Sequence, residues 1–123
     1  MVGTNDLDKS EKFYNKLLDT VGLKKIYGDE GCVGYGQKTG PEVVEFYITM
    51  PANGEPATYG NGTQISFLSN TRAEVDKFHA TGIENGGVCE GLPGLRPEGA
   101  STYYSYVRDL NGNKVCAYTD SKD

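Results

Sequence analysis

Tryptophan is absent from this 123-residue chain, and histidine occurs once, as His79. The single imidazole is the tighter constraint. A two- or three-histidine metal centre cannot be assembled inside one subunit, and a Ser-His-Asp relay would have to run through His79. Cysteine is scarce as well: Cys32, Cys89 and Cys116 are an odd number with no CxxC pair, which fits a reducing cytoplasm rather than a disulfide framework. No apolar run approaches the ~18 residues that span a bilayer, so no membrane partner is expected. Twelve basic against seventeen acidic side chains leave a net charge of −5, with a pI near 4.8. That balance argues against a nucleic-acid partner, which favours a basic face. The first residues show no basic stretch leading into an apolar one, so no secretory leader is read there.

What is present is 37% hydrophobic and 24% charged residues, with seventeen glycines and nine tyrosines. At this length the chain is one domain, and it can bury a core without staples. The tyrosines suggest a cavity with phenolic walls, and the glycines many turns.

MVGT reads as the end of a strand. Asn5, Asp6 and Asp8 then offer N-cap oxygens for a helix over about Asp8–Val21. Its Leu7, Phe13, Tyr14, Leu17, Leu18 and Val21 recur at helical spacing and form one stripe, with Gly22 as the stop. Three strands follow, Lys24–Asp29, Cys32–Gln37 and Glu42–Met50. In the last of them Val44, Phe46 and Ile48 should face one way, and Val43, Glu45, Tyr47 and Thr49 the other. GYG at Gly34–Gly36 and the GNG of Gly60–Gly62 read as turn elements, without the strand-to-helix context of a phosphate loop. Pro51–Gly62 is too rich in Pro, Gly and Asn for regular structure and reads as a linker. Beyond it come a strand over Thr63–Leu68, a helix over about Thr71–Asn85, a short strand Val88–Gly91, the YYSYVRD strand, and a hairpin through Asn111-Gly112 into Lys114–Thr119. The order is β-α-β-β-β, linker, β-α-β-β-β, the pattern of two α+β modules whose sheets can curl around a shared cavity.

VGTNDLDKSEKFYNKLL, GNGTQISF, VDKFHATGIENGG, EGLPGLRPEG and YYSYVRDLNGNK together resemble the glyoxalase, bleomycin-resistance and extradiol-dioxygenase superfamily, the vicinal oxygen chelate proteins. The resemblance runs over nearly the whole chain in order. It implies two paired βαβββ modules whose antiparallel sheets form an open cup: residues 1–50 and 63–119, joined by 51–62, in a single domain over 1–123. It also implies a homodimer and a divalent metal held by the first, fourth, fifth and last strands. Carried over position by position, the first-strand histidine would fall upstream of Met1. The fourth-strand carboxylate matches Glu45, the fifth-strand histidine is replaced by Gln64, and the last-strand glutamate falls on Cys116.

One position in four keeping its usual ligand type leaves no closed set of donors. The chain is therefore expected to be a glyoxalase/bleomycin-resistance-type protein that binds a small organic ligand in its cup. The family metal site is degraded and no cofactor is expected; a divalent metal enters only if Glu45, Gln64 and Cys116 prove to be its ligands. Glu45 is the candidate base. Tyr47, Gln64, Ser66, Arg96, Tyr104, Tyr106, Cys116 and Tyr118 are the candidate ligand-binding residues. Tyrosine walls favour a flat or amphipathic ligand, and the net charge would suit a basic one. Cys116 reads first as a small packed thiol, and His79 as structural, behind the sheet. The alternative is a metal-dependent glyoxalase-like lyase/isomerase of the lactoylglutathione lyase type, with a metal-polarised hemithioacetal and a carboxylate moving the proton. An extradiol dioxygenase would need two histidines and a carboxylate around iron.

Overall fold

The computed structural model describes residues 1–123. Its elements are β1 (Val2–Gly3), α1 (Leu7–Asp19), β2 (Leu23–Gly28), β3 (Cys32–Gln37) and β4 (Phe46–Thr49), then β5 (Ile65–Leu68), α2 (Arg72–Glu84), β6 (Val88–Leu95), β7 (Tyr103–Arg108) and β8 (Lys114–Thr119). They build two four-stranded sheets of matching order, β1-β4-β3-β2 and β5-β8-β7-β6. The sheets are mixed rather than purely antiparallel, because β1 runs parallel to β4 and β5 parallel to β8. Each opening strand is followed by a helix, and such a crossover permits a parallel return.

Both helices begin on side-chain caps. The Asp6 carboxylate accepts the backbone N–H of Lys9 at 3.1 Å, and Thr71 Oγ1 that of Glu74 at 3.2 Å, which satisfies donors that helix geometry leaves unpaired. The α1 stripe of Phe13, Tyr14, Leu17 and Leu18 is buried as its spacing requires. Gly22, at φ +81°, ends the segment in the left-handed region. Gly82 looks like a flaw in α2 until its neighbour is considered. A Cβ there would lie 2.9 Å from Val107 Cγ1, so the glycine lets α2 settle onto β7.

One apolar core joins the two halves. Phe46 of β4 meets Phe67 of β5 edge to face at 5.1 Å, and Phe67 leans on Phe78 of α2 at 6.1 Å. Burying each such ring contributes roughly 1.5–3 kcal/mol. The DLNGNK turn adds a polar clasp. Asp109 accepts the Tyr14 hydroxyl at 2.5 Å, while Asn113 Nδ2 donates to the Gly3 carbonyl at 2.9 Å. The turn that closes β7 onto β8 thus also ties module 2 to β1 and α1.

Besides β6, which runs on to Leu95 rather than ending at Gly91, two further expectations change. Gly34 and Gly36 are not in a turn but inside β3. There the segment before β4 lies across the sheet: a Cβ on Gly36 would collide with the Val43 carbonyl, and one on Gly34 would meet Val44 Cγ1 at 2.9 Å. For the same reason Val44 does not share the buried face of Phe46 and Ile48. The strand begins only at Phe46, so the alternation fails one residue earlier.

Candidate functional site

Strand alternation divides sheet 2 cleanly. Val107, Val115 and Ala117 are fully buried against the helices. The opposite, open face carries Tyr104 and Tyr106 from β7, with Cys116 and Tyr118 opposite them on β8. Ser66 on β5 stands in register with Cys116. Six of the nine predicted site residues, Gln64, Ser66, Tyr104, Tyr106, Cys116 and Tyr118, thus share one surface.

The tyrosines form a stacked row. Tyr104 lies 5.7 Å from Tyr106 with planes 9° apart, and 5.8 Å from Tyr118 at 24°. Two cations converge on the end of that row: Arg96 lies 5.5 Å from the Tyr106 ring centroid and Lys114 Nζ 5.0 Å. Neither takes part in a salt bridge; Arg108, by contrast, is tied to Glu90 at 2.9 Å. Burial, followed by the neighbouring Cys116 and Tyr104, pushes the Tyr106 phenol up, with Arg96 pulling it back. At neutral pH the ring is an uncharged platform beneath two positive groups.

Cys116 is buried, and its side chain closes a small triangle. Its thiol donates to Ser66 Oγ at 3.1 Å, and Gln64 Nε2 donates both to that oxygen at 3.0 Å and to the sulfur at 3.4 Å. Desolvation pushes the thiol up, against smaller opposing effects of Ser66 and Lys114. A protonated thiol engaged in this way is a poor nucleophile.

Of the other predicted residues, Arg96 joins this face over Tyr106, Glu45 borders it across a cleft, and Tyr47 lies apart. Glu45 precedes β4, is exposed, and donates its backbone N–H to the Tyr35 carbonyl at 2.8 Å. It lines a cleft of about 590 Å³ between the modules together with Gln37, Ser66, Leu68 and Tyr118. Tyr47 is in sheet 1, opposite Gly34, with Tyr27 at 6.4 Å. His79 is buried with Val75 on the helix side of sheet 2. Lys114 was missed by sequence reasoning; it lies two residues before Cys116, so the same alternation that selected Cys116 and Tyr118 would have found it.

A family profile described as the Glyoxalase/Bleomycin resistance protein/Dioxygenase superfamily matches residues 1–117. The chain belongs to that superfamily. It is similar to a glyoxalase/bleomycin resistance protein from Albidiferax ferrireducens T118, with 43% identity, 97% of this chain and 93% of that one covered, and a TM-score of 0.82. The fold is also shared with the hypothetical protein SA1046 from S. aureus, at 22% identity, 96% and 88% coverage and TM-score 0.70. A lactoylglutathione lyase from Agrobacterium tumefaciens shares it at 23% identity, 96% and 88% coverage and TM-score 0.63. No curated protein matches the chain.

Members of this superfamily that carry a metal need a converging set of hard or borderline donors. No three His, Cys, Asp or Glu side chains of this chain come together in a way that could hold an ion. The carried-over positions supply an exposed carboxylate, a carboxamide and a protonated thiol, and the last two are bonded to each other. Within one chain these residues do not fit a divalent metal. No helix is long and apolar enough to cross a membrane.

Proposed function

We propose that this protein binds a small, flat organic anion on the open face of its second sheet, without the family's metal chemistry. The observation that carries the reading is the pair Arg96 and Lys114, both set over Tyr106 at the end of a stacked tyrosine row and neither in a salt bridge, the carboxylate of Glu90 near Lys114 being tied to Arg108. An aryl carboxylate would lie against phenolic faces and offer its charge to both cations. The overall charge of −5 favours a basic ligand, but the local charge at the tyrosines has the opposite sign, and contacts at that range outweigh a distant, screened net charge.

The assembly we propose is a homodimer that closes the cup. Its support is the exposure of Leu68 and Val88, at 66% and 62%, on the same open face. Cytoplasmic residence is supported by three cysteines that are all free. The lyase alternative would use Glu45 as base, and in this chain that carboxylate has no partner set to bind a metal beside it.

The absence of tryptophan makes tyrosine emission the natural reporter. Titration with planar aryl carboxylates should quench it saturably. Lys114→Gln and Arg96→Gln should each weaken binding about tenfold, equivalent to ~1.4 kcal/mol, and added salt should weaken it further. Equal or tighter binding of the corresponding aryl amines, or unchanged affinity in both variants, would refute the assignment.

A further inference from the structure

On the opposite side of sheet 2 from the tyrosines lies a second group of reactive side chains. Cys89, on the edge strand β6, stands across from the buried Val107. It therefore points to the helix side, yet at the sheet's rim it remains exposed. His79 of α2 is 9% exposed, and its Nε2 lies 3.2 Å from Cys89 Sγ. One helical turn earlier, Asp76 accepts the Tyr103 hydroxyl at 2.7 Å, and Arg72 lies over the same Tyr103 ring at 5.2 Å.

We propose that Cys89 is a thiol–disulfide exchange site that takes low-molecular-weight disulfides, with His79 as the base that receives its proton. Burial holds the imidazole below its ordinary value, with Asp76 opposing only in part. The ring is therefore neutral near pH 7, and the contact is a thiol donating to an imidazole nitrogen. In the exchange, the Cys89 proton passes to His79 as the sulfur attacks one sulfur of the incoming disulfide. A bond forms between Cys89 Sγ and that sulfur, the original S–S bond breaks, and the departing thiolate takes the proton back from His79. Cys89 is oxidised to a mixed disulfide, one sulfur of the reagent is reduced to a thiol, and the next thiol reverses the step.

The other two cysteines provide internal standards. Cys32 is partly buried, and desolvation followed by the adjacent Asp29 charge pushes its thiol up. Cys116 is buried and bonded to Ser66. Neither has an imidazole in contact.

The test uses the unmodified chain, a dithiobis(nitrobenzoate) reagent and oxidised glutathione, with quenching at set times and peptide mapping by mass spectrometry. Cys89 should be modified at least ~10-fold faster than Cys32, and Cys116 only on unfolding, since base assistance typically contributes ~100-fold or more. His79→Gln should abolish most of the Cys89 advantage while Cys116 stays protected, and that protection reports that the variant is folded. If Cys116 becomes reactive in that variant, His79→Asn, which removes the same base with a smaller side chain, is read in its place. Equal rates at Cys32 and Cys89, or an undiminished Cys89 rate in a folded His79→Gln protein, would overturn the proposal.

Discussion

Removing the Tyr14 hydroxyl tests whether the hairpin turn at Asp109 holds the two modules together. Asp109 is 6% exposed, and its carboxylate accepts four bonds: the Tyr14 hydroxyl at 2.5 Å, Asn113 Nδ2 at 2.9 Å, and the backbone N–H groups of Asn111 at 2.8 Å and Asn113 at 2.9 Å. Tyr14 is wholly buried, with Phe13 and Phe46 at 5.1 and 5.2 Å. Tyr14→Phe opens almost no cavity and removes one charge-assisted bond, so it should cost about 2 kcal/mol. Asp109→Ala strands a phenol, an amide and two N–H groups, and should cost about 4 kcal/mol. In the Asp109→Ala background the tyrosine substitution should be nearly free, giving a coupling of about 2 kcal/mol. Urea unfolding followed by circular dichroism measures each value, with an unchanged m as evidence that the unfolded state is the same.

The pH dependence has a definite sign. Burial first, and then Asp109, hold the Tyr14 phenol well above 10.0. The folded chain therefore keeps a proton that the unfolded chain loses above about pH 10. Stability from this group is complete below that pH and declines as pH rises through and beyond it, and Tyr14→Phe should remove that part of the alkaline loss. A cost for Tyr14→Phe below about 0.5 kcal/mol, or the same cost with and without Asp109, would refute the clasp.

Two further outcomes follow from the geometry. Gly36→Ala should destabilise the fold by about 1–3 kcal/mol in thermal unfolding, because its new methyl would meet the Val43 carbonyl, a backbone atom that cannot rotate away; unchanged stability would mean that the Val43 segment does not lie across β3. Joining Gln64→His with Cys116→Glu should raise affinity for Ni²⁺ or Zn²⁺ at least tenfold by calorimetry, since both side chains sit on the same open face; no change would show that the family's ligand positions have been carried over to the wrong residues.

The parts of the fold legible in the sequence are those where a side-chain period meets a solvent boundary. Phe13, Tyr14, Leu17 and Leu18 repeat with the helix and are buried. Tyr104, Tyr106, Cys116 and Tyr118 repeat with the strand and share a face. Period alone could not place Val43 and Val44, because the segment before β4 is not in a strand; its course is set by the absence of side chains at Gly34 and Gly36. It also could not pair His79 with Cys89. Their contact depends on how α2 lies against the sheet edge, which Gly82 determines by allowing the helix close to Val107. Nor does net charge describe a site: the acidic excess is spread over the surface, while the two cations at Tyr106 are brought together only by the pairing of β6, β7 and β8.

The two modules share a strand order, yet their open faces are not equivalent, and that difference assigns the binding role to the second. In sheet 1 the face opposite the helices is narrowed by the chain itself. Val44 lies over Gly34 and the Val43 carbonyl over Gly36, so part of what would be a wall for a ligand is already covered. In sheet 2 the linker comes against the end of the corresponding face, where the Tyr59 ring lies 5.5 Å from the Arg108 guanidinium, beside the tyrosine row rather than over glycines within it. The face's polar groups at Gln64, Ser66 and Cys116 satisfy one another, and Arg96 commits one donor to the Leu92 carbonyl at 2.7 Å. That leaves the tyrosine row, Lys114 and the other Arg96 donors for a ligand. The thiol at Cys116 belongs to this division. A carboxylate there would need a cation or a metal to offset its burial, whereas a protonated thiol bonded to Ser66 completes the floor without charge. The anionic group that the site lacks is then supplied by the ligand.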